Sequence, residues 1–166
     1  MLQRRLLLAQ GATLALAGCG FQLRGAPELA FASIFVNVAD TSALGNELKR
    51  NLGSLGTLQI VSDPAQLASA QAVLDILAEQ REKTVVGVNA TGQVREFQLR
   101  LRIRFRLRTP QGKELIPDTE LLQQRDISFN ESAVLAKEAE ESLMYRAMQT
   151  DIVQQLMRRL AAVRTL

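Results

Sequence analysis

The side chains that carry most enzyme chemistry are scarce in this sequence. Its 166 residues contain no histidine and a single cysteine. The lack of histidine excludes the commonest general base, the Ser-His-Asp triad and most zinc sites. Carboxylates could still act as an acid–base pair, and the densest acidic cluster is Glu138, Glu140 and Glu141. Because these glutamates fall at the start of a predicted helix, where the helix dipole favours acids, we predict a protein that is not an enzyme and needs no metal or cofactor.

The sequence around the single cysteine, Cys19, predicts a different chemistry. Arg4 and Arg5 precede an apolar segment at residues 6–17 that is too short to span a bilayer as a helix. Residues 16–19, Leu-Ala-Gly-Cys, resemble the bacterial lipobox, in which the cysteine is lipidated and becomes the first residue of the mature protein. We therefore predict that residues 1–18 are a cleaved lipoprotein signal peptide and that Cys19 carries the lipid anchor. The alternative is a buried N-terminal helix that contains a cysteine.

Removal of the signal peptide changes the charge balance. Lysine and arginine together number 20 against 17 acidic residues, and the loss of Arg4 and Arg5 leaves 18 against 17, a net charge of about +1. A nearly neutral mature chain gives no reason to expect a nucleic-acid partner. The remaining residues, 19–166, suit a single domain. By resemblance to lipoprotein sorting rules, Gly20 after the cysteine favours the outer membrane, so the predicted membrane contact is the lipid anchor.

The most regular pattern in the chain is the alternation at residues 97–108, FQLRLRIRFRLR. Strict alternation is typical of a β-strand with one buried face, since successive side chains point to opposite sides. The apolar face would carry Phe97, Leu99, Leu101, Ile103, Phe105 and Leu107. The opposite face would carry the basic row, which we define as Arg100, Arg102, Arg104, Arg106 and Arg108. Five neighbouring cations repel one another unless water, salt or a partner compensates them.

The other elements follow from periodicity and turn residues. Helical spacing of leucines after the cap residues 40–42, and a longer apolar stripe from Tyr145 to Val163, predict two helices. Besides the arginine strand, strands are predicted at residues 34–38, 58–61, 72–88 and 119–129, with turns at 89–92 and 110–112. The sequence therefore predicts an α+β fold.

Four short motifs resemble those of the LptE family of LPS-assembly lipoproteins. They are residues 19–24 (CGFQLR), 92–98 (GQVREFQ), 133–137 (AVLAK) and 144–147 (MYRA). The resemblance implies a two-layer sandwich, a roughly four-stranded sheet with two helices packed on one face. It also implies a non-enzymatic lipoprotein anchored in the outer membrane, on the periplasmic side and within the lumen of the LptD barrel. Such a protein plugs and helps assemble LptD, and binds lipopolysaccharide for delivery to the outer leaflet.

The same resemblance implies a ligand site. In the family, basic residues at the tip of a strand hairpin and before the last helix are implicated in ligand binding. Lys137 matches the second position, whereas the hairpin tip here reads Asn89, Ala90 and Thr91, and Arg95 lies nearby. The resemblance therefore implies Lys137 and Arg95 as residues that bind lipopolysaccharide.

Two questions stay open on the sequence. The basic row could face water, the polar lumen of a barrel, or the phosphates of lipid A, which suit the bidentate fork of arginine. The chain could also be a generic outer-membrane lipoprotein adaptor that acts on another envelope complex or on peptidoglycan.

Overall fold

The structure, a computed structural model, describes residues 29–166. The predicted signal peptide, Cys19 and the motif at residues 19–24 lie outside the described residues. The helices are α1 (Ala43–Gly53) and α2 (Val134–Ala162), and the strands are β1 (Ser33–Asn37), β2 (Gln59–Val61), β3 (Ala72–Val88), β4 (Val94–Arg108) and β5 (Glu114–Ser128). Short 3-10 turns at Pro64–Ser69 and Glu131–Ala133 precede β3 and α2. No helix within residues 29–166 is long and apolar enough to cross a membrane.

The strands form one sheet in the order β2-β1-β3-β4-β5. The short strand β1 pairs in parallel with β2 and with the start of β3. The long strands β3, β4 and β5 then pair antiparallel, as expected where tight turns join consecutive strands. Since β1 covers only residues 72–75 of β3, the later part of β3 extends with β4 and β5 as a three-stranded ribbon.

The predicted α+β class and the two helices on one face are confirmed, and the sheet has one strand more than the roughly four that the resemblance implies. The sheet has five strands within the described residues, because the three residues of β2 add to β1 as a short parallel edge. The last strand is also longer than predicted, since β5 begins at Glu114 instead of residue 119. Pro117 obscured this start, and an edge strand tolerates proline because its outer N–H groups need no partner within the sheet.

The main hydrophobic core lies between the sheet and the two helices. The alternating pattern of β4 is confirmed, since Leu99, Leu101, Ile103, Phe105 and Leu107 are fully buried. The helices contribute the other side of this core with Leu44, Leu48 and Leu52 from α1 and Met148, Ile152, Leu156 and Leu160 from α2. A smaller apolar cluster on the opposite face joins Phe35, Val61, Ala70 and Val73. Two-sided burial at this end explains why β1 and the start of β3 read as continuous apolar runs.

A β-bulge in β3 changes which of its side chains face the helices. Ile76 pairs with Phe105 and Ala78 with Arg104, so that Leu77 has no opposite residue. After this bulge the alternation of β3 is shifted by one residue, and Lys83 pairs with Leu99 on the helix side. The bulge therefore brings a lysine from the middle of a strand next to the start of α2.

A buried glycine in α1 sets the distance between this helix and the preceding loop. A Cβ atom on Gly45 would lie 2.5 Å from Cγ1 of Val38, whereas one on Gly53 would lie 3.6 Å from Cδ1 of Ile60. We expect Gly45→Ala to lower the free energy of unfolding by about 1–3 kcal/mol through overpacking, despite the helix propensity of alanine. Gly53→Ala is the control and should raise it by up to about 1 kcal/mol. Urea unfolding measures both, and equal changes would contradict the close contact.

Candidate functional site

The basic row lies on the sheet face opposite the helices, and carboxylates of the neighbouring strands compensate it. Arg102 pairs with Glu120 of β5 at 3.2 Å, and Arg104 pairs with Asp118. Arg100 donates from Nε to Oε1 of Gln98 at 2.8 Å. The repulsion expected between neighbouring arginines is therefore relieved within the sheet. The contact that this face makes outside the chain stays a prediction.

The last two arginines of the row converge on one buried carboxylate. Asp75 of β3 is 3% exposed, and its Oδ2 accepts from Nε of Arg106 at 2.9 Å and of Arg108 at 2.8 Å. Its Oδ1 accepts from Nδ2 of Asn37 at 2.8 Å. Burial raises the pKa of Asp75, but the hydrogen bonds from Arg108, Asn37 and Arg106 together lower it by more than burial raises it. The pKa of this carboxyl therefore lies below its usual value. Asp75 therefore joins β1, β3 and β4 as an ionised group.

The predicted ligand residue Lys137 lies at the other end of the sheet, beside an apolar cavity of about 240 Å³. The walls of this cavity come from β4, the end of β5 and the first turn of α2, with Phe97, Ile127, Phe129 and Val134 as apolar members. The rings of Phe97 and Phe129 meet edge to face with their centroids 5.3 Å apart. We call this space the aromatic cavity.

Two lysines stand at the aromatic cavity, and each has a glutamate partner. Lys137 Nζ lies 2.8 Å from Oε2 of Glu140 and donates to Oγ of Ser128 at 3.0 Å. Lys83 Nζ lies 2.6 Å from Oε2 of Glu141 and 4.4 Å from the centroid of the Phe97 ring. The cavity thus combines aromatic walls with two ammonium groups whose present partners are exposed or half-buried carboxylates.

The N-terminus of α2 adds partial positive charge to the wall of the aromatic cavity. The N-cap position is Ala133, which supplies no side-chain hydrogen bond to the first turn. The first N–H groups of a helix carry partial positive charge and attract anions. Since Val134 and Lys137 both line the aromatic cavity, the first turn of α2 forms part of its wall.

A second cavity, of about 460 Å³, continues along the open edge of β3. It shares Lys83, Glu138 and Glu141 with the aromatic cavity and adds Arg81 and Tyr145. The hydroxyl of Tyr145 donates to the carbonyl oxygen of Glu82 at 2.7 Å and so fixes α2 over β3. Since the Lys83–Glu141 ion pair lines both cavities, it stands between them.

The other predicted ligand residue, Arg95, does not line the aromatic cavity. It lines a neighbouring polar cavity of about 270 Å³ together with residues of the turn before α2, among them Asn130 and Ser132. Arg95 and Lys137 thus lie at the same end of the sheet but in two separate cavities. The hairpin tip itself is a closed turn, in which Oδ1 of Asn89 accepts from the backbone N–H groups of Thr91 and Gln93.

Sequence reasoning missed Lys83 and the two phenylalanines as a unit. Phe97 and Lys83 come from two strands and Phe129 directly follows a third, and only the bulge in β3 turns Lys83 to the helix side. Exposed apolar residues surround the same end, with Val88 60% and Leu135 83% exposed. In the described part of the chain, no group of three or more acidic, histidine or cysteine side chains could hold a metal ion.

The sequence and the fold are similar to those of known lipoproteins. A family model described as "LptE: Lipopolysaccharide-assembly" matches residues 31–160. The LPS-assembly lipoprotein LptE of Pectobacterium atrosepticum is 30% identical over 157 residues, covering 92% of this chain and 82% of that protein. The LPS-assembly lipoprotein LptE of Yersinia enterocolitica is 31% identical over 173 residues, covering 98% of this chain and 78% of that protein.

Solved structures show the same fold. The solution structure of an uncharacterized lipoprotein B from Nitrosomonas europaea has a TM-score of 0.73 at 32% identity and covers 86% of this chain and 91% of that one. The crystal structure of the rare lipoprotein B from Shewanella oneidensis has a TM-score of 0.66 at 21% identity and covers 78% of this chain and 94% of that one. At that lower identity the likeness bears on the fold alone.

Proposed function

We propose, because the chain belongs to the LptE lipopolysaccharide-assembly family, that it binds lipopolysaccharide for delivery to the outer leaflet and that it plugs and helps assemble the LptD barrel. The observation that carries the ligand part of this proposal is the aromatic cavity. Lipid A joins acyl chains to phosphates, and the aromatic cavity places apolar walls next to two lysines and a helix N-terminus. Its volume of about 240 Å³ suits a part of such a ligand, with the neighbouring cavity as an extension.

When a ligand binds in the aromatic cavity, its phosphate takes the place of a glutamate carboxylate. Lys83 and Lys137 are paired with Glu141 and Glu140, so a phosphate must replace a carboxylate at either lysine. A phosphate group with three acceptor oxygens can contact an ammonium and backbone N–H groups together, which a single carboxylate on the same helix does not do. The N-terminal turn of α2 and Lys137 are therefore the expected phosphate contacts.

Arg95 supplies a second positive group at the same end. Its cavity is lined mostly by polar side chains, which suits the phosphate or sugar part of a ligand rather than an acyl chain. Together, the two cavities would hold an amphiphile with its acyl part against Phe97 and Phe129 and its anionic groups toward Lys137 and Arg95.

The basic row fits the barrel part of the proposal. Four of its five arginines pair with the carboxylates of Asp75, Asp118 and Glu120 on the flanking strands, so that the face is highly charged but partly compensated. A barrel lumen is polar, and a charged face with internal partners suits contact with it. In this arrangement Cys19 carries the lipid anchor in the outer membrane and the domain reaches from the periplasmic side into the lumen.

A generic outer-membrane adaptor for another envelope complex, or for peptidoglycan, is the alternative. Crosslinking in intact cells, followed by purification of the full chain and identification of the crosslinked protein, separates the two. We expect LptD as the main partner. Recovery of a different envelope complex, or of peptidoglycan fragments without LptD, would contradict the proposal.

The Lys83–Glu141 ion pair yields a prediction for ligand binding. In Glu141→Gln the ammonium of Lys83 loses its carboxylate partner and becomes available to a phosphate, so we expect lipopolysaccharide to bind about two- to tenfold more tightly. Glu138→Gln removes the same charge from the same cavities but releases no lysine, and it should have a smaller effect. Titration of the purified variants with lipopolysaccharide measures both. Weaker binding by Glu141→Gln would show that the ion pair itself forms part of the site.

A further inference from the structure

The chain enters the described fold at the end of the sheet opposite the aromatic cavity. Ser33 begins β1 at this end, and the register places Val73 of β3 beside Arg108 at the end of β4. The turn between β4 and β5 and the last residue of the chain are also here, since Lys113 Nζ donates to the carbonyl oxygen of Leu166 at 2.9 Å. We call this the entry end.

Exposed cations gather at the entry end. Both helices end there, and the exposed basic side chains are Arg50, Lys113, Arg158, Arg159 and Arg164. None of the four arginines forms an ion pair with any residue of the range 29–166. Glu114, which pairs with Arg108 in the sheet register, is an acidic residue at this end. The entry end thus carries an excess of positive charge.

The excess of positive charge at the entry end comes from the distribution of charged residues, since the described residues are nearly neutral as a whole. Residues 29–166 hold 17 lysines and arginines against 16 acidic residues, after Arg4, Arg5, Arg24 and Glu28 are subtracted from the totals of 20 and 17. Elsewhere in these residues most cations of the sheet and of the aromatic cavity have carboxylate partners. Helix dipoles favour Arg50 and Arg159 at the last turns of α1 and α2, but the side chains stay exposed to a further partner.

We propose that the entry end rests on the anionic phospholipid headgroups of the leaflet that holds the lipid anchor. This inference depends on the proposed lipidation of Cys19. Leu29 lies ten positions after Cys19, and a chain of that length reaches about 35 Å at most. The hairpin tip lies about 55 Å away along β3, at about 3.3 Å for each of its 17 residues. The anchor and the basic patch therefore lie at one end and the ligand cavities at the other.

The contact orients the domain, since clustered cations next to a membrane anchor are attracted to anionic lipids within about one Debye length. With the entry end on the membrane, the aromatic cavity points away from the headgroups of the anchoring leaflet. The anchor alone would hold the chain at the membrane but would leave the direction of the long axis free.

Fluorescence quenching tests this orientation in the mature, lipidated protein. A dye is attached to a cysteine introduced by Gln111→Cys at the entry end or by Ala90→Cys at the hairpin tip. The protein is reconstituted into vesicles of phosphatidylcholine, with or without about one third phosphatidylglycerol, that carry a headgroup quencher. We expect strong quenching of the dye at position 111 and weak quenching at position 90. The difference should require phosphatidylglycerol and should disappear in about 0.5 M NaCl.

Charge-matched variants complete the test. Arg158→Gln combined with Arg159→Gln removes two positive charges from the entry end, and we expect quenching at position 111 to need about tenfold more phosphatidylglycerol. Arg146→Glu changes the net charge equally on the same helix, away from the entry end, and should have little effect. Equal quenching at both positions, or quenching independent of phosphatidylglycerol, would overturn the orientation. If the protein did not float with the vesicles at all, the lipid anchor in the proposed function would have failed instead.

Discussion

Lys137→Glu combined with Arg95→Glu should weaken lipopolysaccharide binding by far more than tenfold. Each charge-assisted hydrogen bond to a phosphate contributes about 1.5–3 kcal/mol, and each glutamate also adds repulsion. A tenfold loss corresponds to about 1.4 kcal/mol, so even one lost contact exceeds it. The two residues lie in separate cavities, and the single variants should therefore each lose part of the affinity.

The control for this variant keeps the charge change and moves it away from the cavities. Arg104→Glu with Arg146→Glu reverses two exposed cations, one on the basic row and one on the outer surface of α2. Arg106 is unsuitable because it holds the buried Asp75. Titration of the folded variants with lipopolysaccharide should show a small loss for the control. A large loss for the control, with Lys137 and Arg95 silent, would move ligand binding from the predicted site to the basic row or to the outer surface of α2. Small, salt-sensitive losses for both would mean that these cations only face water.

Asp75→Ala should cost more stability than the loss of any exposed ion pair of the sheet, about 2–4 kcal/mol of the free energy of unfolding. The substitution removes three hydrogen bonds and leaves Arg106 and Arg108 without their shared partner. Asp118→Ala is the matched control, because it removes the exposed partner of Arg104 on the same face and should cost less than about 1 kcal/mol. Urea unfolding at neutral pH measures both. Equal costs would show that burial of Asp75 contributes little.

The lowered pKa of Asp75 gives the same cluster a pH dependence. Between the folded and the unfolded pKa of this carboxyl, the unfolded state binds the proton and the folded state does not. The contribution of Asp75 to stability is therefore complete above its unfolded pKa and is lost as the pH falls through its folded pKa. We expect the stability difference between the native chain and Asp75→Ala to shrink on acidification in that range. A constant difference would contradict an ionised Asp75.

The parts of the fold that sequence reasoning predicted are those set by local periodicity. The alternation of β4 identified the buried set from Leu99 to Leu107 because pleat geometry alone decides which face a residue occupies. The stripe from Tyr145 to Leu160 identified the buried face of α2 in the same way. β2 was also predicted, as the strand at residues 58–61, whereas its parallel pairing with β1 is a non-local contact that periodicity does not show. The count of roughly four strands came from the family resemblance and not from these patterns.

The candidate site was harder to predict, since it depends on which strands become neighbours. The carboxylates that compensate the basic row come from β3 and β5, and the pattern of residues 97–108 does not predict which carboxylates these are. The aromatic cavity depends on the bulge at Leu77, which turns Lys83 toward α2. No residue pattern in this strand predicts the position of the bulge. Lys137 was predicted as a ligand residue through family resemblance and not through spacing, and its role stays a prediction.

The most direct test of the proposed function follows newly made lipopolysaccharide in cells depleted of this chain. If the chain acts in delivery through LptD, new lipopolysaccharide should stop reaching the outer leaflet, as measured by its access to an enzyme that modifies lipid A only at the cell surface. The native chain should restore delivery, and the variant Lys137→Glu with Arg95→Glu should restore it poorly. Normal surface delivery in depleted cells would contradict the account and favour an adaptor for another envelope complex.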